Sequence, residues 1–149
     1  MYVTFGKRFL AVVFLFLLLF LCIYGRFCEA TSTEICGNTN AFRVAFADSI
    51  NCEIKEECIS SKVTQIPSKF DETYKNYNEI QRKAGFDLEK YKGCKMTVYS
   101  YPVLKFRDFT AKDGAVLNLL VIDGKIVGGD VSSVAIDGKM YPVSKGNYG

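Results

Sequence analysis

The chain of 149 residues contains no histidine and no tryptophan, so any chemistry it performs must use carboxylates, amines, guanidinium groups, amides, hydroxyls or thiols. Histidine is the commonest general base and metal ligand, and its absence removes Ser-His and Cys-His nucleophile pairs. No GxSxG, HExxH or phosphate-loop pattern replaces them. A catalyst built from this sequence would need a carboxylate pair or a lone thiol. The densest polar group is Tyr77, Asn78, Gln81, Asp87 and Tyr91. Asn78 and Gln81 stand three apart, so on a helix they share a face beside Tyr77. Such a group either ties a helix exit to the adjoining strand or forms a tyrosine-containing binding surface.

Cys52 and Cys58 flank Lys55-Glu56-Glu57 and could cross-link a local hairpin in an oxidising compartment, or remain two free thiols. Cys36 and Cys94 have no evident partner. No CxxC occurs, and neither a metal nor another cofactor is expected. Asp123, Asp130 and Asp137 recur every seven residues, which fits no EF-hand loop, and two of them precede glycine as turn residues do. Gly128-Gly129-Asp130 could line a ligand, but a strand bulge or close backbone approach is the simpler reading.

The elements that must position these residues centre on a helix from Ser68 to Ala84. Ser68 serves as its N-cap, and Asp71 follows on the first turn. Phe70, Tyr74, Tyr77, Ile80 and Ala84 make one apolar face. Gly85 is the left-handed stop, with Phe86 folding back on the last turn. Asp87 to Tyr91 reads as a capped single turn ended by Gly93, and a period-two strand starts at Cys94. Upstream, Asn40 caps a short helix with Phe42, Val44, Ala45 and Ile50 apolar and with Arg43 and Asp48 facing solvent. Two short strands or edge segments follow, around Cys52–Ile54 and Val63–Ile66, the second ended by Pro67. Downstream, Pro102 belongs at an edge or bulge, and Ala115–Ile122 reads as a central strand. Asp123-Gly124 is a type I′ hairpin turn, and Val131–Val143 holds a second hairpin around Asp137-Gly138.

The run Tyr77-Asn78-Glu79-Ile80-Gln81-Arg82-Lys83-Ala84-Gly85-Phe86-Asp87-Leu88, with Tyr91-Lys92-Gly93 after it, resembles a family of uncharacterised domains from Gram-positive, largely clostridial, bacteria. Ile66-Pro67-Ser68-Lys69-Phe70-Asp71 and the stretch from Leu119 to Asp130 are similar to further blocks of that family. The resemblance covers about residues 42–143 and implies a short, singly anchored protein with its domain outside the membrane. Where the family commonly has Gly-Trp after the first helix, this chain has Asn51-Cys52, so the packing beneath that strand must differ. The resemblance carries no activity with it.

Phe9 to Tyr24 is an unbroken apolar run after Lys7-Arg8, which means membrane. An uncleaved anchor is favoured. The alternative is a signal peptide cut after Ala30, although Tyr24, Arg26 and Phe27 are atypical before a cut. The expected organisation is a cytoplasmic N-terminus at 1–8, an anchor or signal segment at 9–27, a linker at 28–40, one domain at 41–144 and a tail at 145–149. The whole chain carries 19 basic and 16 acidic residues, net +3. Without Lys7, Arg8, Arg26 and Glu29 the remainder is net +1, which gives no electrostatic footprint for nucleic acid.

The expected fold is α+β: an antiparallel sheet of about four to six short strands with one main helix on one face, preceded by a hydrophobic N-terminal helix. The expected role is a membrane-anchored extracytoplasmic binding module for an unidentified protein or small ligand. A secreted inhibitor or accessory protein is the alternative. A carboxylate- or thiol-based enzyme ranks third.

Overall fold

The computed structural model describes residues 34–133 and 138–144. The expected anchor, Ala30 and Asp137 lie outside these residues. No helix within them is long and apolar enough to cross a membrane.

The described residues form an α+β fold, with two helices, two 3-10 turns and a seven-stranded antiparallel sheet among them. Helix α1 spans Asn40–Ser49 and α2 spans Glu72–Lys83. The strands are β1 (Glu53–Ile54), β2 (Ser60–Gln65), β3 (Lys95–Phe106), β4 (Phe109–Thr110), β5 (Val116–Ile122), β6 (Lys125–Ser132) and β7 (Met140–Pro142). The main path runs β1-β3-β5-β6-β7, with β2 and β4 also pairing with β3. The count exceeds the expected four to six because β1 and β4, each two residues long, attach to the long β3.

β1 and β2 do not form the hairpin that their spacing suggests. Both pair with β3, β1 at Val103 to Lys105 and β2 at Lys95 to Ser100. Pro102 lies between those two stretches, within a central strand rather than at an edge. Lys55 N donates to Pro102 O at 2.9 Å, so the proline nitrogen faces the same side, in the gap between the two partners. No ladder bond is lost there.

Strand alternation divides the core in two. Tyr101, Val103, Leu117, Leu119, Val121 and Val131 face α1, whose Phe46, Ala47 and Ile50 complete that cluster. Met96, Leu120, Ile122, Val127 and Leu88 face the other way, against Phe70, Tyr74 and Tyr77 beside α2. The sheet is therefore covered on both faces rather than one.

The α1 stripe is Arg43, Phe46, Ala47 and Ile50, at helical spacings of three, four and seven. Arg43 is consequently buried and Phe42 is half exposed, the reverse of the sequence expectation. Arg43 Nε donates to the Tyr101 hydroxyl at 2.6 Å and Nη1 to Gly37 O at 2.7 Å, and its guanidinium lies 3.7 Å from the Tyr99 ring centre. A planar cation with fixed donors can be buried this way, where a lysine could not. Thr39, not Asn40, caps α1. Asn40 instead accepts from the Tyr101 hydroxyl and donates to Glu56 O.

Helix α2 starts later than expected because Asp71 outcompetes Ser68 as the cap, its Oδ1 accepting Tyr74 N at 2.7 Å. Its exit follows the expected pattern. Gly85 has φ +86°, Gly85 N donates to Arg82 O, and Phe86 N donates to Gln81 O. The β5–β6 turn is also as expected, with φ of 48° at Asp123 and 74° at Gly124.

Val127 is the extra residue of a bulge in β6, since Leu120 pairs with Gly128 and Val121 with Ile126. Beyond it, Gly128 admits α2: a Cβ there would meet Gln81 Oε1 at 2.7 Å and Leu120 Cδ1 at 3.0 Å. Gly128→Ala is therefore expected to cost about 1–3 kcal/mol through overpacking, read as a lower urea midpoint with an unchanged slope.

Candidate functional site

The polar residues singled out on α2 make four separate ties. Gln81 is fully buried, and its Oε1 accepts Gly129 N at 2.8 Å. Asn78 is also buried; its Oδ1 accepts Leu88 N at 2.8 Å and its Nδ2 donates to Asp87 Oδ1 at 3.0 Å. Asp87 caps the 3-10 turn Leu88–Tyr91 by accepting Glu89 N. The Asn78 hydrogen bond, with help from Arg82, holds its carboxyl below the usual range. Tyr91 packs beside the core under α2. Asn78 and Gln81 therefore cannot form a surface, and they bind the helix exit to its neighbours instead.

Tyr77 leads elsewhere, to a cluster that the sequence did not reveal. Its hydroxyl donates to Asp130 Oδ2 at 2.8 Å. Asn118 Nδ2 donates to Asp130 Oδ1 at 3.1 Å and approaches Ser132 Oγ at 3.4 Å. Ser100 Oγ lies 2.8 Å from Asn118 Oδ1. Register explains the alignment: Ser100 opposes Asn118 on β3 and β5, and Asn118 opposes Asp130 on β5 and β6. Tyr77 and Asp130 stand out separately in the sequence, and Asn118 is a polar residue in an otherwise apolar strand, but nothing in the sequence joins the three.

The direction of the hydrogen bonds follows from the chemistry. An ionised carboxylate only accepts, so the amide nitrogen of Asn118 faces Asp130 and its oxygen faces Ser100. Ser100 must then donate inward. Both hydrogen bonds of the row run toward Asp130, so the Ser100 hydroxyl oxygen keeps its capacity to accept.

Asp130 is 4% exposed and has no cationic partner among the described residues. Burial raises its pKa above 3.8, although hydrogen bonds from Asn118, Tyr77 and Ser132 act the other way. Burial also pushes the Tyr77 hydroxyl up, with the Asp130 charge adding to it, so Tyr77 stays a donor. Farther along the face, Pro102, Val116 and Ser132 are half-buried, and Leu104 and Met140 are exposed. The row thus opens onto a part of the sheet that α2 leaves uncovered.

The cysteines contribute nothing to this cluster. Cys52 and Cys58 carry free thiols, contrary to the cross-link considered from sequence. With β1 and β2 end to end along β3, no hairpin brings them together, and Cys52 points into the core while Cys58 Sγ contacts Ser60 O. A shallow open groove lined by Gln65, Ile66, Pro67, Ser68 and Lys69 lies away from the row and gathers no carboxylate.

Two measurements check the ties and the carboxylate, and a third checks the burial of Cys52. Asn78→Ala leaves the buried Leu88 N–H unpaired and should cost about 1–3 kcal/mol in chemical denaturation. The raised Asp130 pKa means that the native state binds its proton more readily than the unfolded chain. Its charge therefore costs stability above the folded pKa, and that cost disappears as pH falls toward 3.8. Asp130→Asn should melt higher than wild type at pH 7, with the difference shrinking on acidification. Burial raises the Cys52 thiol to about 12, so native Cys52 should resist iodoacetamide at pH 8 while the exposed Cys36 and Cys94 react.

No curated protein matches the chain. No solved structure matches it either. One family does: a domain of unknown function (DUF4830) aligns with residues 46–131, from within α1 to the penultimate residue of β6. That match spans more than half of the chain and includes Tyr77, Asn118 and Asp130. The chain belongs to this family of domains of unknown function, DUF4830.

Proposed function

We propose that this protein is a membrane-anchored extracytoplasmic binding module whose ligand sits on the open part of the α2 face. The anchor reading rests on the apolar run from Phe9 to Tyr24 behind Lys7-Arg8. One observation carries the binding reading: the Ser100–Asn118–Asp130 row is hydrogen-bonded in one direction and ends on a buried carboxylate without a counter-ion among the described residues. A desolvated charge costs stability, and natural chains retain such costs mainly at functional sites. Because the outer Ser100 oxygen accepts, the row favours a ligand that donates hydrogen bonds, such as a hydroxyl-rich or ammonium-bearing molecule. Pro102, Val116 and Leu104 would pack against its apolar parts.

A thermal-shift screen of the full chain in detergent, using saccharides and alkylammonium compounds, tests the site. A hit should bind roughly tenfold more weakly to Ser100→Ala, the worth of one hydrogen bond in a desolvated site. A hit indifferent to both Ser100→Ala and Asp130→Asn would contradict this location. Native mass spectrometry addresses the anchor. A mature chain beginning at Thr31 would overturn it in favour of a secreted accessory protein or inhibitor.

A further inference from the structure

The two outer edges of the sheet are built differently. At one edge β7 is three residues long and ends in Pro142, which leaves few backbone groups for another strand. At the other, β2 runs from Ser60 to Gln65 without proline, in unbroken register on β3, with five of six residues exposed. Native proteins usually protect an edge of this kind with a bulge, a proline or a covering element. Among the described residues nothing pairs with the outer side of β2.

The outward groups can be identified. Ile66 N donates to Cys94 O at 3.0 Å, in the register that pairs Thr64 with Met96, so even-numbered residues bond toward β3. In an antiparallel ladder alternate residues direct their backbone groups to opposite sides. The N–H and C=O groups of Ser61, Val63 and Gln65 therefore point away from β3. Val63, at the centre, is an apolar side chain 66% exposed.

We propose that this edge pairs antiparallel with the same edge of a second copy of the chain, about a two-fold axis at Val63. The strand is self-complementary in that register. Val63 meets Val63 of the second copy, Ser61 meets its Gln65, and Lys62 meets its Thr64. All three outward residues of each strand then find partners, the two valines lose their exposure to water, and the lysines do not face one another. Centring the axis on Ser61 or Gln65 would leave part of the outward ladder unused. Ser60 of this strand opposes Ser100, but the outward groups of Ser61, Val63 and Gln65 take no part in the ligand row, so either proposal can fail without the other.

Sedimentation of the full chain in density-matched detergent tests the pairing. Wild type should sediment as two chains. Val63→Pro removes only an N–H that points outward, and Val63→Lys or Val63→Glu sets like charges face to face. Each variant should fall to the mass of one chain with an unchanged circular dichroism spectrum. An equimolar mixture of the Lys and Glu variants should recover the two-chain particle, because residue 63 opposes itself. A wild-type chain that stays single at every soluble concentration overturns the proposal. So do variants that remain paired, or a mixture that does not recover.

Discussion

Contact between α2 and the sheet depends on the missing side chain of Gly128. Gln81 can reach Gly129 N only because Gly128 offers no Cβ at the point where its Oε1 passes. That approach sets the height of the helix over β6. The same height puts Tyr77 within hydrogen-bonding distance of Asp130 and seats Leu88 against Leu120. The buried Gln81 Nε2 and Tyr74 hydroxyl have no partner among the described residues, so this close fit carries an unfavourable polar cost. Neighbouring apolar packing must offset it.

The two faces of the sheet solve polar burial in different ways. On the α1 face a cation is buried, and among the described residues Arg43 is held by no carboxylate but by a hydroxyl, a carbonyl and an aromatic ring. On the α2 face an anion is buried, and Asp130 is held by a phenol and an amide. Among the described residues, Arg43 and Asp130 are thus buried without an ion-pair partner on opposite sides of one sheet. Arg43 is enclosed by its partners, whereas the Asp130 row continues through half-exposed residues toward solvent. That difference makes the second charge the better candidate for meeting a ligand.

Local signals in the sequence were read well where the backbone itself dictates them. The Gly85 stop, the Asp123-Gly124 turn and the alternation of β3 all follow from short-range chemistry. Three features required tertiary information. Asp71 displaced Ser68 as a cap because both residues can accept and only the docked geometry chooses. Arg43 looked solvent-facing because no periodicity reveals that Tyr99 and Tyr101 wait opposite it. Asp130 looked like part of a bulge because its partners Tyr77 and Asn118 lie on two other elements, related to it only by register.

The central claim is that the row ends on a carboxylate disfavoured as an anion. Its most direct test is a side-chain carboxyl 13C NMR titration of Asp130 in the folded chain. The structure predicts a midpoint above 3.8, because burial outweighs the hydrogen bonds that favour the charge. A midpoint at or below 3.8 would show a carboxylate fully satisfied by its neighbours and would remove the physical basis for a site there.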